Sequence, residues 1–146
     1  MAVHIGFTGT QAGMLRIQAD KVGHLLEIQP AHVRILDHGM CKGADEQTDG
    51  MARRAGYAIH IRPSTVINKQ ARCPVRAGYD MLFPAKPPLD RNRDIVDACE
   101  VLIAAPKEMS ETLRSGTWAT IRYCRKVGKP LFIVWPDGSV TEERTL

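Results

Sequence analysis

The chain has 146 residues, of which 44% are hydrophobic and 25% charged, a balance that predicts one globular domain with a sizeable core and excludes a disordered chain. No apolar run approaches the roughly 20 residues of a membrane helix, and the N-terminal residues lack the pattern of a signal peptide. We therefore expect a cytoplasmic protein that has no membrane partner. The formal net charge of +4 suits an anionic ligand but is low for a dedicated nucleic-acid-binding protein.

The first half of the chain alternates between strand-like and helix-like patterns. Short apolar runs predict three strands, over residues 3–8, 32–37 and 57–61. Apolar residues at helical spacing predict two helices between them, over residues 12–28 and 44–55, and Gly56 is placed to cap the second.

Residues 62–88 show no clear period and contain five prolines. A segment of this length exceeds an ordinary connection, so we predict a long loop or a lid. Beyond it, the patterns predict a helix over 89–99, a strand over 101–105, a loop over 106–115, a helix ending at Gly128, a strand over 130–135 and a polar tail over 136–146.

This alternation of strands and helices predicts an α/β fold. The expected architecture is a single Rossmann-like three-layer domain over residues 1–146, with a mostly parallel sheet of about five strands. Ligands of such sheets bind beyond the carboxyl ends of the strands, where the order of the strands reverses. Candidate site residues are therefore sought in the loops at that edge.

Two glycine-rich loops follow the first and second strands. The first offers Thr8, Gly9 and Thr10, whose backbone and hydroxyl groups could approach a phosphate, although a simple tight turn explains the glycines equally well. The second contains His38 and the binding candidates Gly39, Lys42, Gly43 and Asp45. The side chain of Asp45 could bind a ribose hydroxyl or cap the following helix, and we favour the capping role. We expect the histidine to be structural.

A third group of candidates flanks the strand at 101–105. Arg91 and Asn92 lie near the start of the preceding helix, where a cation works against the helix dipole and therefore points to an anionic ligand. Ser115, Gly116 and Thr117 begin the next helix and offer N–H groups and hydroxyls to the same anion.

Four cysteines are spread along the chain, at positions 41, 73, 99 and 124. None of their spacings is that of a zinc knuckle or a CxxC redox motif, so we expect reduced thiols, no metal site and no resident cofactor. Cys99 and Cys124 have the pattern of core residues. For Cys41, in the second glycine-rich loop, an activated thiol is the alternative.

The order of these motifs over residues 3–135 resembles the SLOG superfamily. That superfamily unites the SMF/DNA-processing protein A proteins with the LONELY GUY, or "lysine decarboxylase-like", phosphoribohydrolases, and the spacing is most similar to its small stand-alone YspA-like branch. The resemblance is carried by Gly43-Ala44-Asp45, Arg91-Asn92 and Gly116-Thr117. It implies a Rossmann-like fold that binds a nucleotide, a nucleotide derivative or nucleic acid, and it implies a homodimer.

The hydrolase branch of that superfamily cleaves the N-glycosidic bond of nucleoside 5′-monophosphates and carries a PGGxGTxxE motif. In this chain the glycine pair after Pro106 is missing, and Thr120 stands where the glutamate is expected. A threonine cannot supply the carboxylate that this hydrolysis requires. Glu108 or Glu111, together with Arg91, are the remaining catalytic candidates.

The sequence thus leaves three functions to compare. The leading hypothesis is a sensor or carrier for a phosphorylated, nucleotide-like small molecule, closed over by residues 62–88, with Tyr79, Phe83 and Trp118 as stacking candidates. The second is a nucleotide N-glycosidase or base-exchange enzyme with an altered acid. Single-stranded DNA binding is third, since aromatic residues make up only 5% of the chain and the basic clusters are short.

Overall fold

The computed structural model describes residues 2–30 and 32–144. Its core is a seven-stranded sheet built from β1 (Ala2–Gly9), β2 (Val33–His38), β3 (Ala58–Ile61), β4 (Met81–Leu82), β5 (Val101–Ala105), β6 (Leu131–Val134) and β7 (Val140–Glu143). Four helices accompany the sheet, α1 (Arg16–Glu27), α2 (Ala44–Arg54), α3 (Pro88–Ala98) and α4 (Gly116–Val127). The α/β class predicted from the alternating patterns is confirmed.

The strand order is β4-β3-β2-β1-β5-β6-β7. All neighbouring strands are parallel except β6 and β7. The chain leaves β1 toward β2 on one side and later returns to place β5 on the other. The order therefore reverses at β1, and a crevice opens beyond the carboxyl ends of β1 and β5.

Two apolar clusters separate the sheet from its two helical layers. Side chains of α1 and α2, such as Leu26 and Ala52, pack with Ile5 and Leu36 of the sheet. On the opposite face, α3 and α4 pack through a second cluster that includes Trp118. Strands covered on both faces are expected to be nearly continuous in apolar residues, as β5 is.

The sheet has two more strands than the predicted five, the short edge strands β4 and β7. Met81–Leu82 pairs with His60 and Ile61 of β3, but two residues are too few to show a period. The predicted polar tail folds back through a turn at Gly138 (φ +85°), and β7 then pairs with β6. Its sequence is polar because an edge strand is exposed on its outer side. Thr145 and Leu146, the end of that tail, lie outside the described residues.

The predicted start of α1 at residue 12 is also wrong, since the helix begins at Arg16. Gly13 has a φ of +92°, a left-handed conformation that an α-helix cannot contain. The side chain of Gln47 accepts a hydrogen bond from the N–H of Met14 at 2.7 Å. The β1–α1 loop is thereby fixed to α2 before the first helix begins.

The segment 62–88 is fixed to the rest of the domain through Asp80. Its carboxylate accepts hydrogen bonds from the N–H of Ile59 at 2.9 Å, from Arg53 at 2.8 Å and from Arg76 at 3.0 Å. A 3₁₀ turn at Ile67–Lys69 lies in the same segment. Within the described residues, no helix is both long and apolar enough to cross a membrane.

Candidate functional site

A cavity of about 400 Å³ lies at the carboxyl edge of the sheet, where the strand order reverses. The loops that follow β1, β2 and β5 meet there with the first turns of α3 and α4. Ten of the twelve predicted binding residues line it, namely Thr8, Gly9, Thr10, Gly39, Asp45, Arg91, Asn92, Ser115, Gly116 and Thr117. Lys42 and Gly43 are not among its lining residues.

The β1–α1 loop forms one wall of the cavity. An added Cβ on Gly9 would lie 2.6 Å from the Cβ of Ala44, so close packing against α2 requires glycine at this position. The hydroxyl of Thr10 accepts a hydrogen bond from the N–H of Ala12 at 3.1 Å. The carbonyl of Thr10 accepts one from the N–H of Ala44 at 2.9 Å, so it occupies the first N–H of α2.

The β2–α2 loop is held in place by Asp45. Its carboxylate accepts hydrogen bonds from the N–H groups of Gly39 at 3.2 Å and Cys41 at 3.1 Å, while the N-cap of α2 is Gly43. The predicted capping role is therefore wrong, because the carboxylate holds the preceding loop instead. Gly43 has a φ of +87°, and a Cβ there would meet the carbonyl of Gln11, so this glycine serves packing between the two loops.

Two titratable groups face the cavity from this loop. Burial raises the pKa of the Asp45 carboxyl above its usual value, against the opposing effects of His38 and Arg91. Burial and the neighbouring Asp45 also raise the pKa of the Cys41 thiol. A thiol with a raised pKa stays protonated, so the structure does not support an activated nucleophile at this position.

His38 is structural, as the sequence suggested. One ring nitrogen, Nδ1, accepts a hydrogen bond from the N–H of Met40 at 2.9 Å, and the other, Nε2, lies 2.8 Å from the Asp49 carboxylate. The imidazole is fully buried. It connects the loop after β2 to α2, and both nitrogens are occupied by the protein itself.

Arg91 is buried and connects the loops that follow β2 and β3. Its Nη1 donates to the carbonyls of Gly39 at 2.7 Å and Arg62 at 3.1 Å, and its Nε donates to the side chain of Asn92 at 2.8 Å. A Cβ on Gly39 would collide with the guanidinium. Among the described contacts of the guanidinium, Nη2 lies 3.7 Å from the sulfur of Cys41. Arg91 can therefore donate to a ligand through Nη2, whereas Nε and Nη1 are bound to the protein.

The first turn of α4 forms the opposite wall. Ser115 is the N-cap, and its hydroxyl accepts a hydrogen bond from the N–H of Trp118 at 3.2 Å. The first N–H groups of a helix have no acceptor within that helix, and here they belong to Gly116 and Thr117, which line the cavity. Apart from its chain neighbours and the backbone of its own helix, no described residue lies within 4 Å of a Cβ built on Gly116, so there is space beside it for an anion.

Three cations that line the cavity were not among the predicted site residues, namely Lys69, Lys107 and Arg114. Among residues 2–30 and 32–144, none of these three forms an ion pair. Lys107 and Arg114 lie in the loop after β5, so their place at this edge could have been inferred from the predicted strand. Lys69 comes from the 3₁₀ turn and had no comparable signal.

The carboxylates proposed for catalysis have different positions. Glu108 lines the cavity, whereas Glu111 is exposed and pairs with Arg122 at 2.9 Å. Thr120 is buried and donates a hydrogen bond to the carbonyl of Gly116 at 2.9 Å. Of the two candidate glutamates, the structure brings only Glu108 to the site.

The predicted stacking residues do not line the cavity. Tyr79 is exposed and Trp118 is buried in the core, and Phe83 lies beneath the guanidinium of Arg62 at 3.9 Å. Within the lining, Phe7 is the one aromatic residue, and it is itself buried. The cavity therefore combines backbone, hydroxyl and cationic groups and offers no exposed aromatic face.

No protein-family model matches the sequence, and no curated protein matches it in a sequence search. Solved structures do resemble it. The molybdenum cofactor binding protein of the phototrophic bacterium Rippkaea orientalis superposes with a TM-score of 0.66 at 18% identity, covering 92% of this chain and 77% of its own. For the Moco carrier protein of Chlamydomonas reinhardtii the TM-score is 0.61 at 20% identity, with coverages of 91% and 76%.

DNA processing protein A of Helicobacter pylori, described as binding single-stranded DNA, gives a TM-score of 0.63 at 17% identity. The match covers 90% of this chain and 64% of that protein. At these identities the similarity concerns the fold. The chain has the Rossmann-like fold that its resemblance to the SLOG superfamily predicted, and it shares that fold with DNA processing protein A and the molybdenum cofactor carriers.

Proposed function

We propose that this protein binds a phosphorylated small molecule, a nucleotide or a nucleotide-like cofactor, and acts as its carrier or sensor. The observation that carries the proposal is the set of groups around the cavity. The first turn of α4, where the N–H groups of Gly116 and Thr117 have no acceptor within the helix, faces it together with Lys69, Lys107 and Arg114. N–H groups at a helix N-terminus and nearby cations are the groups that bind phosphate in proteins.

The phosphate is assigned to Gly116 and Thr117. The hydroxyl of Ser115 can still donate to the ligand, because its oxygen only accepts from Trp118. The remainder of the ligand would extend along the β1–α1 loop toward Asn92 and the Nη2 atom of Arg91. A volume of about 400 Å³ is within the range of pockets for ligands of this size.

The structural neighbours support a carrier role. Two of them are named as proteins that bind or carry the molybdenum cofactor, so this fold can hold a small cofactor. For this chain we propose only the chemical class of the ligand, a molecule with at least one phosphate.

We also propose a homodimer, which the resemblance to the SLOG superfamily implies. Light scattering during size-exclusion chromatography would test it.

An N-glycosidase is the second candidate, and the position of Glu108 favours it. This carboxylate lines the cavity and could activate water, as a glutamate does in glycosidic hydrolysis. Incubation with a panel of nucleoside 5′-monophosphates tests this function. Release of free base by the wild type, and its loss in Glu108→Gln, would replace the carrier role by an enzyme.

The neighbour that binds single-stranded DNA makes nucleic acid a further outcome to test. The absence of an exposed aromatic residue from the described lining argues against it, because stacking platforms are typical of single-strand binding. A mobility shift with single strands that weakens with salt would establish DNA as the ligand.

Native mass spectrometry of freshly purified protein tests the proposal as a whole. We expect the native protein to be heavier than the bare chain by the mass of a bound ligand that is lost on denaturation. Elemental analysis of the purified protein should then detect phosphorus. A protein that carries no phosphorus, and that shows no saturable binding of nucleotides or phosphorylated cofactors added to it, would contradict the proposal.

A further inference from the structure

Two histidines and an aspartate converge outside the cavity, on the three adjacent strands β1, β2 and β3. The Nδ1 atom of His4 lies 2.7 Å from one oxygen of Asp37, and the Nδ1 atom of His60 lies 3.7 Å from the other. The three possible ligand atoms all lie within 4.8 Å of one another. None of these residues lines the cavity described above.

Strand register explains why the side chains meet. Asp37 pairs with His60 on one side and with Gly6 on the other, and paired residues on neighbouring strands point to the same face of the sheet. A Cβ on Gly6 would meet Cys99 and Ile95 beside α3. The cluster therefore lies on the α3 face, where the Asp37 side chain is fully buried and that of His4 is 24% exposed.

The cluster is incompletely satisfied. Within the described part of the chain, the buried Nδ1 atom of His60 has no hydrogen-bond partner, since 3.7 Å to Asp37 is too long for a hydrogen bond. Buried polar atoms without a partner are uncommon in folded proteins and often mark the place of an ion or a water. Here the unpartnered atom is a nitrogen that binds metals, directed toward a second imidazole and a carboxylate.

A second cluster on the opposite side of β2 provides a contrast. His38, Asp49 and Cys73 also lie within 4.8 Å of one another. However, both nitrogens of His38 have partners, and Arg53 donates to Asp49 at 2.7 Å. That cluster is complete without an ion, whereas the one around His60 is not.

We propose that His4, Asp37 and His60 form a binding site for a divalent first-row transition-metal ion, for which Zn²⁺ is the appropriate probe. Two imidazoles and one carboxylate are a common set of protein ligands for Zn²⁺, with water in the fourth position. Ligand atoms around a tetrahedral Zn²⁺ are about 3.3 Å apart, as follows from Zn–N distances of about 2.0–2.1 Å. The Nδ1 atom of His4 lies 2.7 Å from the carboxylate oxygen beside it, and the three ligand atoms lie within 4.8 Å of one another, so side-chain rotations suffice to reach that spacing.

Arg62 is compatible with this site. Its Nε donates to one oxygen of Asp37 at 3.1 Å, while its guanidinium stacks on Phe83 at 3.9 Å. The ion would take the other carboxylate oxygen, the one beside His4. Carboxylates that bind metals are commonly oriented by such an outer hydrogen bond, and the partly exposed imidazole of His4 provides the path of entry.

The test is titration of metal-stripped wild-type protein with Zn²⁺ against a chromophoric chelator. We expect one equivalent to bind, with at least about tenfold weaker binding in His60→Ala and in His4→Gln. His32→Ala, which removes an exposed histidine elsewhere, is the matched control and should bind as the wild type does. Because His4 is partly exposed, we expect His4→Gln to fold even if His60→Ala does not, and circular dichroism checks each protein.

Substitution with Co²⁺ distinguishes metal bound at this site from metal bound by a cysteine thiolate. We expect Co²⁺ bound to the wild type to show ligand-field absorption without a thiolate charge-transfer band. No saturable Zn²⁺ binding, equal affinity in the wild type and His4→Gln, or a thiolate band lost in Cys73→Ser would each overturn the proposal. The result is independent of the phosphate ligand, because the two sites share no residue.

Discussion

The first turns of α2 and α4 lie at the same edge of the sheet, yet they offer a ligand opposite chemistry. The first N–H of α2 is already bound by the carbonyl of Thr10, and the buried carboxyl of Asp45 lies in its first turn. The first turn of α4 contains no acidic residue and opens onto the cavity with Lys107 and Arg114. Of these two similar strand–loop–helix units, one is closed by the protein itself and the other is available to an anion.

This difference shows what a glycine-rich loop can and cannot indicate. Gly9 and Gly43 are required because α2 and the neighbouring loop approach them closely, so these glycines report packing within the protein. Gly116 has open space around it. Of these three glycines, the one without a packing contact lies at the start of α4.

The largest effect is expected when an acidic residue is placed in the first turn of α4, as Asp45 is in that of α2. Gly116→Asp places a carboxylate at the proposed phosphate position, where like charges cost several kcal/mol, so we expect affinity for a nucleoside monophosphate to fall by about 100-fold or more. An acidic residue in a first turn also stabilises the helix, so the melting temperature should not fall. Isothermal titration calorimetry measures the affinity, with Gly116→Asn as the uncharged control.

Affinities of both Gly116→Asp and Gly116→Asn that equal that of the wild type would show that charge at this helix terminus does not matter. The phosphate assignment to α4 would then be wrong. Weak binding by both variants would point instead to a steric requirement for glycine.

The packing role of the β2–α2 loop leads to a stability prediction. A Cβ on Gly39 would collide with the guanidinium of Arg91 and displace it from the carbonyls of Gly39 and Arg62. Overpacking of this kind costs about 2 kcal/mol, so Gly39→Ala should lower the free energy of unfolding by that amount in urea denaturation. Gly116→Ala, a change in open space at a helix start, should leave it unchanged or raise it by up to about 1 kcal/mol. Similar losses in the two variants would remove the distinction between the loops.

The attachment of segment 62–88 predicts a pH dependence of stability. Burial alone would raise the pKa of Asp80, but hydrogen bonds from Arg76, Arg53 and the N–H of Ile59 lower it well below its usual value. A lowered pKa stabilises the fold above the ordinary aspartate range, and this contribution disappears as the pH falls through that range and below it. Asp80→Asn should therefore cost about 2 kcal/mol near neutral pH.

The measurement is the urea midpoint as a function of pH. The difference in urea midpoint between the wild type and Asp80→Asn should shrink on acidification. The control Asp20→Asn, which changes an exposed aspartate on α1, should have nearly the midpoint of the wild type at every pH. A constant difference across the acidic range would mean that Asp80 is not the group that fixes the segment.

The smallest expected effects concern the individual cations. Lys107→Ala and Arg114→Ala should each weaken ligand binding about threefold at low salt, about 0.7 kcal/mol, because exposed ion pairs contribute little individually. Lys42→Ala, at a position that does not line the cavity, should leave the affinity unchanged. The effects of the first two should diminish with added salt, and an equal effect of Lys42→Ala would indicate a general charge effect.

Much of the fold could be predicted because its strands are buried on both faces. The strand at Val101–Ala105 is an unbroken apolar run, and its predicted and observed bounds coincide. The start of α1 was misplaced because the loop around Gly13 is fixed by the hydrogen bond from Met14 to Gln47 of α2, a residue distant in sequence. The edge strands β4 and β7 were missed because two residues carry no period and an exposed edge resembles a polar tail.

The site could be predicted as far as local patterns reach. Ser115, Gly116 and Thr117 were found because a helix start is marked in the sequence. The contribution of Lys69 depends on how segment 62–88 folds back, and the burial of Arg91 against Gly39 depends on a contact across 52 positions. The His4–Asp37–His60 cluster depends on strand register, so no short cysteine or histidine spacing revealed it.

Backbone amide NMR during titration with adenosine 5′-monophosphate identifies the N–H groups that contact the phosphate. If the first turn of α4 holds the phosphate, the largest saturable shifts will belong to the N–H groups of Gly116 and Thr117, with smaller ones in the β1–α1 loop. The N–H of Ala44, bound to Thr10, should move little. Largest shifts at Lys42, Gly43 and Ala44, or no saturable shift with this or any other phosphorylated probe, would contradict the account.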